Sequence, residues 1–465
     1  MLLANLKKTI TFLLLLSTVT VWLFSGWPQI WQNPLIPAGV KKVQAAPAAG
    51  DGHVIYGDKQ TNLTLYNRSF SGTTFGSEGT LSLGGYVGWA DLEASPYDAD
   101  RLLRGVLEQT TFDVKTSIFD YSTGNWTEIA TVTTDTGYGL RMLFDIEFEQ
   151  STGDALIVYG DNVAGEVKYR TMASSANDWG TEQTLSFGGG SGGVPRTVRA
   201  VRDPDTDDIM VAWEDANFDI FSALWDGSSF GSVTTHETNS INAAGVKDSP
   251  VFDLAWEGGT STSEGMITWL NNSGTVRYNT FTSGSWDTAG DVTGLSFTAG
   301  NKGGLVITSI RWSGEHSKIA VMGGTGNDKI IKANIWSGSG WGTAEQLTTK
   351  QMDIGKANPA AAVWQKTSGD LFVTYLVKRN EIGVRLRIYD VGTDSWSSDL
   401  GPLTGTAVFK GGVMADADLN SKAVAIVAGE SKTDVGTFGL ICADPCNTGA
   451  ASEWTTTLEL RSASA

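Results

Sequence analysis

Few side chains in this sequence are of the types that do chemistry unaided. It holds three histidines (His53, His236 and His316) and two cysteines (Cys442 and Cys446), too few soft ligands for a zinc or iron centre of ordinary design. The cysteines read as a short, loop-closing disulfide of an oxidising compartment. A redox-active pair normally spaces its cysteines by two residues beside a βαβ unit, whereas Ala443, Asp444 and Pro445 intervene here. Asp203, Asp205 and Asp207 alternate along an acidic stretch in the way oxygen ligands are offered to calcium. The same stretch suits a hairpin turn, and it lacks the central glycine and distal glutamate of an EF-hand. No other cofactor is implied. Arg141, Arg196 and Arg311 could bind a carboxylate through bidentate hydrogen bonds, or stand solvated at strand ends. Trp89, Trp225 and Trp336 are candidate platforms for stacking on a sugar face, with packing between repeats as their alternative role. The 51 acidic residues leave a paired-carboxylate glycosidase open. There is no nucleophile elbow, metalloprotease helix or dinucleotide fingerprint, and the glycine-rich run Gly188 to Gly193 lacks the Lys-Ser/Thr of a phosphate loop.

Charge narrows the partners. Lys and Arg total 33 against 51 Asp and Glu, for a formal charge of −18, so phosphate backbones are repelled and nucleic acid is not an expected ligand. Lys7 and Lys8 precede an uncharged apolar run from Thr9 to Trp27, the arrangement that secretion machinery reads. Small residues in Val43-Gln44-Ala45 before Ala46 fit signal-peptidase cleavage, while the length of the run and its flanking tryptophans fit a retained membrane anchor. Residues 1–45 are therefore expected to be a signal peptide or anchor, and 46–465 one further domain. Membrane contact is expected only through that first segment, and the domain is expected to be a monomer outside the cytoplasm or on the cell surface.

The elements that must position these side chains recur down the chain. A small polar turn followed by an aromatic ends each unit, the aromatics being Phe75, Trp126, Trp179, Phe230, Trp286, Trp341, Trp396 and Trp454, spaced by 51, 53, 51, 56, 55, 55 and 58 residues. That period falls in the range of propeller blades. The turns, such as Ser122-Thr123-Gly124-Asn125 and Ser283-Gly284-Ser285, carry residues that permit left-handed backbone and bond nearby amides. Before each turn lies an alternating strand such as Val384 to Tyr389, which predicts one wet face. Before that comes a continuous apolar strand such as Leu371 to Tyr375, which predicts burial on both faces. With a first strand such as Phe144 to Gln150 and a short last one such as Glu345 to Thr349, each unit has four antiparallel strands. The aromatics are expected to plug the gaps between blades. The expected fold is all-β, an eight-bladed propeller of four-stranded antiparallel blades, with seven blades plus a half-blade as the alternative. The doubt arises at repeat one, whose His53 to Tyr56 matches a second strand, so that its first strand is missing unless Val43 to Ala48 supplies it.

The turn-plus-aromatic pattern, most nearly in Asp226-Gly227-Ser228-Ser229-Phe230, resembles the Asp-box of sialidase-like propellers, and Gly323-Gly324 with Tyr389-Asp390 through Trp396 resembles a kelch repeat. The first resemblance implies arginines near a central channel, for which Arg141, Arg196 and Arg311 are the candidates, although Val194-Pro195-Arg196 only scrambles that family's Arg-Ile-Pro signature. Fold alone does not carry function. The expected role is a non-enzymatic binding module for a glycan or surface protein, with a sialidase-like glycoside hydrolase as the alternative.

Overall fold

The computed structural model describes residues 51–461 except 58–62, 99, 138–141, 189–191, 241–250, 258–263, 299–303, 311–317, 349–359, 366–367, 378–382, 404–412, 418–423, 430–436, 443–445, 447–452 and 455–457. The chain divides into two compact units, Met1–Ala45 and Ala46–Ala465. The apolar run from Thr9 to Trp27 and the stretch from Val43 to Ala48 lie outside the described residues. Among the described residues no helix is long and apolar enough to cross a membrane.

All regular elements of the second unit described here are β-strands, in eight antiparallel sheets whose strands follow one another in chain order. Sheets 2 to 8 begin with first strands Val87–Ala94, Phe144–Phe148, Pro195–Arg202, Phe252–Trp256, Gly304–Ile310, Ala360–Trp364 and Val413–Ala417. Sheet 1 starts instead at Asp51–Gly57, which pairs with Thr64–Ser71 as second strands elsewhere pair with third ones. The first strand of sheet 1 is thus absent among the described residues.

Second strands such as Ala155–Gly160, Gly265–Leu270 and Leu371–Leu376 are buried throughout, as continuous apolarity requires when a neighbour covers each face. The cores lie between sheets. Leu156 and Val158 of sheet 3 pack with Val211 and Trp213 of sheet 4, Ala212 of sheet 4 with Met266 and Trp269 of sheet 5, and Phe372 of sheet 7 with Ile426 of sheet 8. First strands also pack in succession, from that of sheet 2 through to that of sheet 8. Face-to-face sheets with successive inner strands form a β-propeller. The third strand Val384–Asp390 departs from the expected wet face. Arg387 is buried because its guanidinium donates to Ser397 O (2.7 Å), Gln346 O (3.2 Å) and Glu345 Oε1 (3.0 Å).

The recurring aromatics occupy matching places. Phe75, Trp126, Trp286 and Trp396 each pair with the aromatic across the turn, Phe70, Phe119, Phe281 and Tyr389. The ring centroids of these pairs are 5.7, 5.1, 5.1 and 5.3 Å apart. Three of the recurring rings are also seen against the preceding sheet. Trp126 Nε1 donates to Asn67 (3.2 Å) and Trp179 Nε1 to Thr116 (2.8 Å), while Trp286 lies edge-on to His236 at 4.5 Å. Trp126, Trp179 and Trp286 are thus plugs of the kind that the spacing predicts, whereas Phe75 packs within its own sheet.

A second repeated device sits in the hairpin between second and third strands. One residue there has left-handed backbone: Phe112 (φ 62°), Gly165 (φ 78°), Phe218 (φ 68°), Gly274 (φ 87°) and Lys329 (φ 59°). The carbonyls of the first four accept from Thr136, Phe187, Ser240 and Phe297 at 3.3, 2.8, 2.9 and 2.8 Å, and in sheet 1 Leu63 accepts from Leu83 at 2.7 Å. Glycine takes this conformation without strain; a bulky side chain there is an outlier.

Candidate functional site

Four charged residues mark one position on consecutive first strands. Asp91, Asp145, Arg199 and Asp253 are each 54 residues apart, one in each of sheets 2 to 5. The repeat length therefore stacks them as neighbours about the inner edge. Arg199 spans its two acidic neighbours, at 3.4 Å from Asp145 and 3.3 Å from Asp253. Each of the first two aspartates also holds the next strand: Asp91 accepts from Ile146 N (3.3 Å) and Asp145 from Ala200 N (2.8 Å). The Asp91 and Asp145 carboxyls hydrogen-bond to one another.

Two residues further along the same strands, Glu93 and Glu147 form a second column. Arg202 Nη1 bonds both, at 3.0 Å from Glu147 and closer still to Glu93. Glu93 lies 109 residues before Arg202, two sheets away, so this contact reaches past the first strand of the intervening sheet.

Burial governs the electrostatics of these carboxyls. Burial holds Asp91 well above the usual range, reinforced by Asp145 and Glu93 beside it. Burial also raises Asp145, but Arg199 and the Ala200 amide oppose the rise. Glu147 is raised well above its ordinary value by burial first and by Glu93 next. Five carboxyls outnumber two guanidiniums in this cluster. Its two arginines are occupied by the chain's own acids.

Of the residues singled out from sequence, those among the described residues lie outside these columns. Arg196, at the start of the sheet 4 first strand, is buried with its guanidinium over the Phe218 ring at 4.6 Å. Arg141 and Arg311 lie outside the described residues. Trp225 and Trp336 are only 4% and 7% exposed and belong to the cores between sheets, and Trp89 is half-buried against the core of sheets 2 and 3. Asp203 accepts from Asp205 N (2.8 Å) and Thr206 Oγ1 (3.1 Å) inside its own turn. Asp207 turns away to accept from Ser151 N (2.6 Å) and Oγ (2.5 Å) of the preceding sheet. Cys442 and Cys446 form a disulfide, which closes the loop that their spacing anticipates.

The inner columns escape a search for motifs because Asp91-Leu92-Glu93 and Asp145-Ile146-Glu147 read as ordinary strands with one polar face. The findable mark is their recurrence at the 54-residue period.

Two histidines sit outside this site as neutral packing groups. His53 contacts Phe119 at 4.2 Å and bonds Tyr121 (3.1 Å); His236 bonds Ser222 (2.7 Å) and Asn279 (3.0 Å). Burial lowers both to about 4, helped at His53 by the Arg104 guanidinium. The unfolded chain therefore binds more protons between those values and the ordinary histidine pKa of about 6.5. Their stabilising contribution is complete above about pH 6.5 and is lost as pH falls toward 4, by at most about 3 kcal/mol each and less at the more solvated His53. Urea unfolding from pH 7.5 to 5 checks this: His236→Gln is expected to flatten the decline, and an unchanged slope would refute the assignment.

No family model and no curated protein matches the chain. Among solved structures it is similar to AofleA from Arthrobotrys oligospora, at 11% identity over 76% of this chain and 92% of that one, with a TM-score of 0.41. It is also similar to the β-propeller domain of the Trilobed protease from Pyrococcus furiosus, at 10% identity over 77% and 96%, with a TM-score of 0.41. The NanB sialidase from Streptococcus pneumoniae aligns at 9% identity over 93% and 71%, with a TM-score of 0.42. These likenesses are loose in sequence and in superposition, and the propeller assignment stands on the strand pairing and inter-sheet packing.

Proposed function

We propose that this chain is an exported, cell-surface or secreted eight-bladed β-propeller that binds glycans or surface proteins without altering them chemically. The observation that carries the reading is the charge balance of the inner columns. A sialidase-type site needs guanidiniums free to meet a substrate carboxylate, whereas Arg199 and Arg202 each bridge two of the chain's own acids. Export is supported by the Lys7-Lys8 flank with its apolar run and by the Cys442–Cys446 disulfide. The protein would act as a monomer, tied to a membrane only if the first segment is retained.

A glycan array run beside chromogenic glycosides, sialosides included, tests the proposal. Retention of a neutral or amino-bearing glycan without turnover is the expected result. One observation favours a second reading, a glycoside hydrolase: the buried Asp91 and Asp145 carboxyls hydrogen-bond to one another, and burial raises both. Turnover abolished by Asp91→Asn would replace the binding module with that enzyme.

A further inference from the structure

The contact between sheets 1 and 2 departs from the others at one buried position. From Leu92 onward a first-strand residue recurs every 54 positions, and the second-strand residues paired with this series in sheets 2 to 7 are Arg104, Ile157, Val211, Ile267, Val321 and Val373. The last five lie in the cores between sheets at 0% exposure. Arg104 is as deep, at 1%. A guanidinium therefore stands where the repeat elsewhere places an aliphatic side chain.

Its surroundings do not neutralise it. Nη2 donates to Ser117 Oγ (3.0 Å) and Cζ lies over the Trp126 ring at 4.0 Å, but Nε and Nη1 are buried with no hydrogen-bond partner. No acid among the described residues is within ion-pair distance, and the attraction that reaches the guanidinium comes from Glu128, an exposed residue on the last strand of sheet 2. The groups that sheet 1 brings near it are neutral. They are His53, whose ring the guanidinium helps keep unprotonated, and Asn67, which accepts from Trp126 Nε1 at 3.2 Å.

An arginine keeps its charge at neutral pH even when buried, and a buried charge is tolerated when it is both paired and hydrogen-bonded. The Trp126 ring offsets only part of the cost. A water would take one N–H and leave the charge unmatched, and a dianion would exchange one uncompensated charge for another. A single negative charge on a hydrogen-bond acceptor answers both needs. The enclosure of the guanidinium limits that acceptor to a small ion.

We propose that the interface of sheets 1 and 2 binds a monovalent inorganic anion of about the size of chloride, held by Arg104 through Nε or Nη1 beside the Trp126 ring. The ion is structural: it supplies the counter-charge that this interface needs where the later sheets meet through Ile157, Val211 and their equivalents. The site is separate from the inner charged columns and independent of what the propeller binds.

The test compares the whole exported chain in sodium chloride and in sodium gluconate, at a constant ionic strength of about 0.3 M so that screening is the same. Replacing gluconate with chloride is expected to lower the equilibrium constant for urea unfolding of the wild type at least about tenfold, and that of Arg104→Met less than about twofold. Methionine returns the position to the apolar kind found in the other sheets, so the variant is expected to fold. Sulfate at the same ionic strength should affect the two proteins equally. Bromide should act as chloride does, and anomalous diffraction from wild-type crystals grown in bromide should place one ion against Arg104 Nε or Nη1; this arm needs no variant. Wild-type unfolding indifferent to chloride, an equal chloride response in both proteins, an Arg104-dependent response to sulfate, or ordered water alone at Arg104 in the bromide crystals would each overturn the proposal. None of these outcomes alters the reading of the glycan array.

Discussion

Replacing Arg202 with methionine is expected to destabilise the protein by about 3–5 kcal/mol at pH 7, the cost of leaving buried charge without its partner. Arg202 is buried, and its Nη1 holds Glu93 and Glu147 together from two sheets apart. Without it two carboxyls face one another, and Glu147, already raised by burial and by Glu93, would be raised further. A carboxyl whose folded pKa exceeds its unfolded one favours the folded state at low pH and disfavours it as pH rises through the folded value. The deficit of Arg202→Met should therefore shrink between pH 7 and pH 5. Urea unfolding of both proteins at the two pH values reads this directly, because the histidine contributions are common to both and cancel. Adding Glu147→Gln to Arg202→Met should restore much of the loss at pH 7. A deficit of equal size at both pH values would mean that Arg202 acts by packing rather than by charge.

The largest apolar loss should come from Trp213→Ala, about 3–5 kcal/mol. Trp213 is wholly buried between sheets 3 and 4, stacked on Phe221 at 5.9 Å and tilted against Phe187 at 5.2 Å. Trp286→Ala, at a half-buried plug, should cost under about 2 kcal/mol, in proportion to the area it removes from water. Chemical denaturation of the two variants compares them. Equal losses would mean that the plugs, rather than the second strands, carry the inter-sheet cores.

That contrast also shows what the sequence disclosed. The plugs were legible because an aromatic after a polar turn is a rare local pattern, repeated from Phe75 to Trp454. The second strands were legible because runs such as Leu371 to Tyr375 are apolar without interruption. Trp225 and Trp336 resemble surface platforms in sequence because each ends an alternating strand; facing rings at Phe230 and Trp341 bury them. The inner columns needed three dimensions. Asp145 and Arg199 are polar residues on separate strands until a 54-residue repeat sets one beside the other at 3.4 Å. Arg387 reads as part of a wet face for a similar reason, since its partners Glu345 and Gln346 come from the sheet before it.

Everything proposed for the inner columns presumes that the equivalent sheets stand around one axis and close. Single-particle electron microscopy of the whole chain, classified for views down that axis, tests this most directly. Eight radial densities around a narrow centre are the expected result. A seven-blade ring with the first sheet outside it, or an open arc with the last sheet away from the first, would contradict the account.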